Sequence, residues 1–208
     1  MLHTKTVEPG TLSLLKKLMS IPEMADFSLV GGTALSLQYG HRTSIDLDLF
    51  STETFDYFSI TSTLQNAFGE GFRHEEKESS FGIFCFINSI KVDIVKYKHQ
   101  QIDTTITEDN IRMYSSIDIT AMKIQAILGR GRKKDFWDLA ELLKHYNLEE
   151  IISFHSQKYP SQQLLISIPQ AVTYFDDAEE GDEPVSLKGQ TWESVKKIIQ
   201  QKVNDYLK

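Results

Sequence analysis

The chain has 208 residues, of which 40% are hydrophobic, 11% aromatic and 25% charged, and this composition excludes collagen-like, low-complexity and fully disordered proteins. Its 22 basic and 29 acidic residues give a net charge of −7, which disfavours binding of nucleic acid over a broad basic surface. We expect no signal peptide, because the start of the chain is polar, and no membrane partner, because no segment reaches the roughly 18 apolar residues of a membrane span. With a single cysteine, Cys85, the sequence favours a cytoplasmic protein.

The first half of the chain mixes helical and extended patterns. Apolar residues at helical spacing predict helices over 11–20, 34–39 and 55–68. Thr33 is predicted to cap the second of these helices, and Gly40 to end it. Strands are predicted over 27–30, 45–50, 72–77, 81–87 and 90–97, the last two forming a hairpin. The polar residues 98–112 are predicted to be a loop.

The second half is predicted to be helical. Helices are expected over 116–128, 133–146, 148–158, 161–176 and 191–208. The acidic segment 177–190 contains two glycines and a proline and is predicted to be an exposed loop. The sequence therefore predicts an α+β protein with an α/β core over residues 1–110 and a helical region over residues 111–208.

Asp46 and Asp48 alternate with apolar residues in the strand predicted over 45–50. Strand alternation would point both carboxylates to one side, about 6–7 Å apart. Carboxylates this close repel each other unless a cation lies between them, and Mg²⁺ favours one or two carboxylates together with substrate phosphates. An isolated Asp-x-Asp is more often a solvated strand face, so its neighbours in the sequence decide its meaning.

Gly31 and Gly32 lie upstream, between a predicted strand and a predicted helix. Backbone N–H groups at a helix start bind phosphate, and glycine allows its close approach, although a glycine pair alone is usually a tight turn. The 13 residues 33–45 separate this turn from Asp46, enough for a short helix and a turn. The turn and the acid pair are therefore expected to come from neighbouring strands.

Asp93 is a third acid, placed within the apolar strand predicted over 90–97. A buried acid is costly unless it is paired or bound to a metal, whereas an acid on the solvent face beside Lys91 needs no such partner. Together with Asp46 and Asp48 it would complete three carboxylates able to hold two Mg²⁺ ions, one activating an attacking hydroxyl and one binding a triphosphate.

These segments resemble the DNA polymerase β-type nucleotidyltransferases and, more closely, the AbiEii/AbiGii toxin family. The resemblance covers about residues 27–146, with Thr33 where a serine is common in the superfamily. It is carried by Gly31-Gly32-Thr33-Ala34-Leu35, by His41-Arg42-Thr43-Ser44-Ile45-Asp46-Leu47-Asp48-Leu49-Phe50, by Asp118-Ile119 and Lys123, and by Gly129-Arg130-Gly131-Arg132-Lys133-Lys134-Asp135-Phe136-Trp137-Asp138-Leu139.

The resemblance implies a nucleotidyltransferase-like mixed sheet flanked by helices, with the helical C-terminal region completing the active-site cleft. It implies transfer of a nucleoside monophosphate from a nucleoside triphosphate to an acceptor hydroxyl, with the tRNA 3′ end as one candidate acceptor and a cognate antitoxin as a partner. The metal ligands it implies are Asp46, Asp48 and Asp93, with Asp93 either completing the metal site or serving as a base toward the acceptor. The nucleotide-binding residues are Gly31, Gly32, Thr33, Arg42, Lys123 and Arg130. One of Asp135 and Asp138 would be a further catalytic acid.

The charged residues also have structural interpretations. Lys123 and Arg130 share a helical face and can meet a triphosphate, whereas Arg130 can equally be a solvated cation at a helix end. Arg42 can pair with Asp46 or with a phosphate. The basic run 132–134 is either a hydrated loop or a binding site for RNA phosphates.

Two alternatives stay open. The protein can be a catalytically silent nucleotide-binding module that binds a partner protein, or a structural α+β protein whose acids lie on its surface. Binding of Mg²⁺ together with a nucleoside triphosphate distinguishes the silent module from the structural protein, and label transfer distinguishes an enzyme from both.

Overall fold

The computed structural model describes residues 1–74 and 81–208, and within them the fold is built on a seven-stranded mixed sheet. The strands are β1 Ser28–Val30, β2 Leu47–Ser51, β3 Phe72–His74, β4 Gly82–Ile87, β5 Ile90–Lys96, β6 Ile106–Glu108 and β7 Ile111–Met113. Their order across the sheet is β3-β4-β5-β2-β1-β7-β6. β2 runs parallel to β5 and β1 runs parallel to β7, while the other neighbouring pairs are antiparallel.

Helices flank the sheet and form the C-terminal region. They are α1 Pro9–Met19, α2 Gly31–Tyr39, α3 Tyr57–Phe68, α4 Ser116–Gly129, α5 Lys133–Leu142, α6 Leu148–Lys158, α7 Ile168–Val172, α8 Asp176–Glu179 and α9 Trp192–Tyr206. Local capping fixes several of their starts, because the side chains of Asp56, Ser115 and Asn147 each accept a hydrogen bond from a backbone N–H three residues later. The predicted α+β class, with a mixed sheet flanked by helices, is confirmed.

Two hydrophobic cores hold these layers together. The first packs the inner face of the sheet against α1, α2 and α3, with Leu29, Leu47 and Ile94 fully buried. The second joins α4, α5, α6 and α9, and in it the rings of Trp137 and Trp192 stack 5.9 Å apart. The division of the chain at residue 110 stays a prediction, and β7, which follows that point, belongs to the sheet.

Three elements differ from the sequence-based prediction. The predicted loop 98–112 contains β6 and β7, joined by Asp109 and Asn110, which both have positive φ and form a two-residue hairpin turn. The predicted helix 161–176 is instead a coil followed by α7, because the Ser167 side chain caps a new helix start that has a proline in its first turn. Residues 176–179, at the start of the predicted acidic loop, form α8.

Smaller differences concern element ends. β2 begins at Leu47 and α2 at Gly31, so Thr33 lies inside the helix instead of capping it. Residues 75–77 of the strand predicted over 72–77 lie outside the described residues. Within the described part of the chain, no helix combines the length and apolar composition needed to cross a membrane.

Candidate active site

Asp48 and Asp93 lie side by side in the sheet. They are opposite each other in the parallel pair formed by β2 and β5. Their neighbours along both strands point the other way and are buried in the first core: Leu47, Leu49, Val92 and Ile94. Because side chains alternate along a strand, the two carboxylates share the face that is turned away from this core.

The two carboxylates repel each other electrostatically. Burial raises the pKa of Asp48, and the neighbouring charge of Asp93 raises it further, against the opposing effect of Lys123 and Lys91. Asp93 Oδ2 accepts a hydrogen bond of 2.6 Å from Lys91 Nζ. Asp93 Oδ1 is buried without a hydrogen-bond partner among the described residues. A cation between the acids would relieve their repulsion and satisfy this oxygen.

The glycine turn packs directly against this pair. α2 begins at Gly31, whose φ is +70°, and a Cβ atom there would lie 2.7 Å from Asp48 Oδ2. Glycine is therefore needed both for the backbone conformation and for the close approach. The first N–H groups of α2 have no partner within the helix, so this terminus can accept an anion beside the acids.

Thr33 and Asp46 connect the turn to the strand. The Thr33 hydroxyl is hydrogen-bonded to the Asp46 carbonyl oxygen, at 2.5 Å, and to Ser44 Oγ, at 2.8 Å. Asp46 precedes β2, and its carboxylate lies 3.6 Å from Lys134 Nζ. Asp46 and Asp48 line the same cavity on either side of the buried Leu47, so both carboxylates lie on one side as predicted, although the strand itself begins at Leu47.

Asp138 is the centre of a buried charge network behind the turn. Arg42 binds it bidentately, with Nε at 2.6 Å from Oδ1 and Nη2 at 2.9 Å from Oδ2. His41 Nε2 lies 2.7 Å from Oδ1 and Lys123 Nζ 2.7 Å from Oδ2. Burial by itself would raise the pKa of Asp138, but Arg42, Lys123 and His41 hold it well below its usual range.

Asp135 extends the network by one turn of α5. Its Oδ1 accepts a 2.8 Å hydrogen bond from Lys123 Nζ, and its Oδ2 accepts one from the Arg132 backbone N–H. Arg130 Nε lies 3.8 Å from the same oxygen, while its side chain is 53% exposed. Asp135 and Asp138 both have no exposed surface. Arg42 does not pair with Asp46, one of the two partners considered for it, since its guanidinium binds Asp138.

A cavity of about 310 Å³ brings most of the predicted residues together. Its lining includes Gly31, Gly32, Thr33, Arg42, Asp46, Asp48, Asp93, Lys123 and Arg130. Asp135 and Asp138 do not line the cavity. Asp135 contacts Lys123, and Asp138 contacts both Lys123 and Arg42. The catalytic and binding roles of all these residues stay predictions, because the geometry shows proximity only.

The cavity also contains residues that sequence reasoning did not place there. Lys134 and Phe84 line it, with side chains that are partly exposed. Lys134 was recognised only as part of a basic run. Phe84 gave no signal, because nearly every residue of β4 is apolar and the sequence does not show which face of that strand is open.

The metal-ligand set of Asp46, Asp48 and Asp93 stays a prediction. Within the described residues, no three His, Cys, Asp or Glu side chains are grouped closely enough to hold a metal ion. Asp48 and Asp93 nevertheless fit Mg²⁺, which takes one or two carboxylates and completes its shell with water and substrate phosphates. The unpartnered Asp93 oxygen supports this fit.

Comparison with known proteins gives the family. The family model described as "Nucleotidyl transferase AbiEii toxin, Type IV TA system" matches residues 13–189. The chain belongs to the AbiEii nucleotidyl transferase toxin family. An uncharacterized protein of Aquifex aeolicus is 32% identical to this AbiEii family protein over 199 residues, which cover 93% of the chain and 94% of the relative. The predicted identity as a nucleotidyltransferase of the AbiEii type is confirmed.

Solved structures share the fold. MenT4, a nucleotidyltransferase toxin from Mycobacterium tuberculosis, is similar to the AbiEii family protein with a TM-score of 0.58 and 13% identity, covering 93% of this chain and 84% of MenT4. JHP933 from Helicobacter pylori is similar with a TM-score of 0.50 and 15% identity, covering 96% and 94% of the two chains. At these identities the similarity shows the architecture alone.

Proposed function

We propose that this AbiEii family protein transfers a nucleoside monophosphate from a nucleoside triphosphate to an acceptor hydroxyl, with release of pyrophosphate, in a Mg²⁺-dependent reaction. One observation carries the proposal: Asp48 and Asp93 lie in register on adjacent strands, directly against the helix start at Gly31. This arrangement puts ligands for a divalent cation beside a terminus suited to phosphate.

Asp48 and Asp93 would hold the metal, with Asp46 at the edge of the same cavity. A bound Mg²⁺ supplies charge stabilisation at the transferred phosphoryl group and lowers the pKa of the attacking hydroxyl. The residues of the glycine turn, Gly31, Gly32 and Thr33, would hold the β- and γ-phosphates through backbone N–H groups.

The cations around the cavity divide into two groups. Arg130 and Lys134 keep exposed side chains and would bind the triphosphate. Lys123 and Arg42 are bound to the carboxylates of α5, and in this proposal they position the glycine turn and α5 around the nucleotide. Lys123 would add its charge to the phosphate site from behind the acid pair.

The acceptor and the biological context follow from the family. We propose the 3′ end of a tRNA as the acceptor, a cognate antitoxin as the partner of the system, and a cytoplasmic location. Membership of the AbiEii toxin family supports these assignments. The net charge of −7 favours an acceptor recognised at a local site over one bound along a broad basic surface.

The test is transfer of label from α-labelled ATP, CTP, GTP and UTP, each with Mg²⁺, to purified tRNA, other RNA and protein. We expect transfer by the wild type and loss of at least a hundredfold in Asp48→Asn and Asp93→Asn. Asp205→Asn, which removes an exposed carboxylate from α9, is the matched control and should keep full activity.

The outcomes separate the candidates. Transfer to protein but not RNA would replace tRNA as the acceptor and keep the enzyme. If no nucleotide is transferred although thermal shift shows binding of Mg²⁺ with a nucleoside triphosphate, the catalytic proposal fails. The silent module that binds a partner would then be the better interpretation.

A further inference from the structure

The strand beside the acid pair exposes aromatic side chains. On β4, Phe84 and Phe86 are 44% and 51% exposed, while the alternate residues Ile83, Cys85 and Ile87 are buried. Exposed aromatic residues that are contiguous on one face are unusual for a surface without a ligand. This face of β4 is therefore a candidate binding surface.

The sheet register places cations among these rings. Phe86 lies opposite Lys91 on β5 and opposite Arg73 on β3. Residues directly opposite each other in antiparallel strands share a face, so Arg73, Phe86 and Lys91 form one row across three strands. We call Arg73, Phe84, Phe86 and Lys91 the aromatic platform.

The platform is continuous with the candidate active site. Phe84 lies opposite Asp93, which lies opposite Asp48, so these three form the next row of the same sheet face. Two residues along a strand separate the rows, a distance of about 7 Å. Phe81, whose ring centroid is 5.6 Å from that of Phe84, lines the same cavity.

This combination of groups fits single-stranded nucleic acid. Unpaired bases stack on aromatic rings whatever their sequence, and nearby arginine or lysine side chains bind the phosphates between them. A duplex hides the faces of its bases, and so does not fit. Stacking also explains how a chain with a net charge of −7 can hold an RNA end without a broad basic surface.

We propose that the aromatic platform binds the single-stranded end of the acceptor nucleic acid, with bases stacked on Phe84 and Phe86 and phosphates near Arg73 and near Lys91, whose ammonium also donates to Asp93 Oδ2. The strand then runs toward the acid row, where its terminal hydroxyl would meet the nucleotide. The role as acceptor site rests on the proposed function, whereas binding of the strand does not depend on catalysis.

Fluorescence anisotropy with labelled 12-nucleotide single-stranded RNA and DNA tests the proposal, without nucleotide or Mg²⁺. We expect the wild type to bind, and Phe86→Ala to weaken binding about tenfold, with a further loss in Arg73→Gln/Phe86→Ala. Phe58→Ala removes a ring of α3 that is more exposed than Phe86, at 67%, and lies away from the platform, and it should bind like the wild type. The same RNA in a duplex should bind at least tenfold more weakly than the single strand. Tighter binding of RNA than DNA would identify RNA as the ligand, and the reverse would identify DNA.

Three results would overturn the proposal: no binding of either strand by the wild type, equal affinities of Phe86→Ala and Phe58→Ala, or equal affinity for single strand and duplex. A shift from dimer to monomer in Phe86→Ala, seen by light scattering, would instead make this face an interface between copies and also overturn it. Because these assays contain no nucleotide, their failure is distinct from a failure of label transfer in the assay of the proposed function.

Discussion

The guanidinium of Arg42 occupies the space that a Cβ atom at Gly32 would fill. The same guanidinium binds Asp138 on α5 with two hydrogen bonds. The absence of a Cβ atom therefore allows two close contacts in the glycine turn. Asp48 packs against Gly31, and Arg42 packs against Gly32. The glycine turn is therefore the point at which the buried charge network reaches the acid pair.

Gly32→Ala should destabilise the protein by about 3 kcal/mol, since the added methyl group displaces Arg42 and leaves Asp138 with fewer partners in the interior. Thermal or urea unfolding measures the change. The control is Gly10→Ala in α1, where a Cβ atom meets nothing within 4 Å. A Gly32→Ala protein as stable as the control would show that Arg42 moves away at little cost.

Asp138 should make stability depend on pH at the acid end. Its pKa is lowered in the folded protein from an ordinary value near 3.8, so folding is favoured by its ionised form. This contribution is fully present above about pH 4 and is lost as the pH falls through the lower folded pKa. Asp138→Asn should cost about 3–5 kcal/mol at pH 7 and show a smaller loss of stability below pH 4 than the wild type.

The measurement for Asp138 is urea unfolding at a series of pH values between 2.5 and 7. The exposed acid variant Asp205→Asn serves as its control and should follow the wild-type curve. Parallel curves for the wild type and Asp138→Asn would contradict the assigned electrostatic role.

Asp48→Asn should raise the free energy of unfolding by about 1 kcal/mol at pH 7 without metal, because it removes the repulsion between Asp48 and Asp93. At about ten times its Kd, Mg²⁺ should stabilise the wild type by about 1.4 kcal/mol and the variant by much less. Thermal unfolding with and without Mg²⁺ tests both expectations. An equal response of the two proteins to Mg²⁺ would place the metal elsewhere.

Arg130→Ala and Lys134→Ala should each raise the KM for the nucleoside triphosphate about tenfold, because a charge-assisted contact to phosphate is lost. Steady-state kinetics with a fixed acceptor gives the values. Lys202→Ala on α9 is the matched control, since it removes an exposed lysine remote from the cavity. An unchanged KM in both variants would exclude these side chains from the phosphate site.

Lys158→Met should destabilise the fold by about 3–5 kcal/mol, because Asp118 would keep a buried charge without its cation. Lys158 Nζ lies 2.5 Å from Asp118 Oδ1, and neither side chain is exposed. The double variant Lys158→Met/Asp118→Asn should recover part of the loss in urea unfolding. If the double variant loses as much stability as Lys158→Met and Asp118→Asn lose together, the two residues do not interact.

Particular residues show how far sequence reasoning reaches. The strand containing Asp93, its hairpin with β4 and a helix after the glycine turn follow from local patterns of apolar residues and glycine, although that helix begins at Gly31 and not at residue 34. The coil before α7 and the hairpin of β6 and β7 were missed, because short polar segments carry a weak periodic signal. The Asp109-Asn110 turn was readable in principle, since both residue types tolerate positive φ.

The sequence by itself determined the class of fold, the family and the identity of the acids near the glycine turn, because these depend on local spacing and on a motif that spans neighbouring strands. Only the tertiary structure decided that Arg42 and Lys123 both bind Asp138, a partner that the sequence analysis proposed for neither of them. It also decided which face of β4 is open beside Asp93. These contacts join residues that are far apart in the chain. No local sequence pattern predicts such contacts or the burial that results from them.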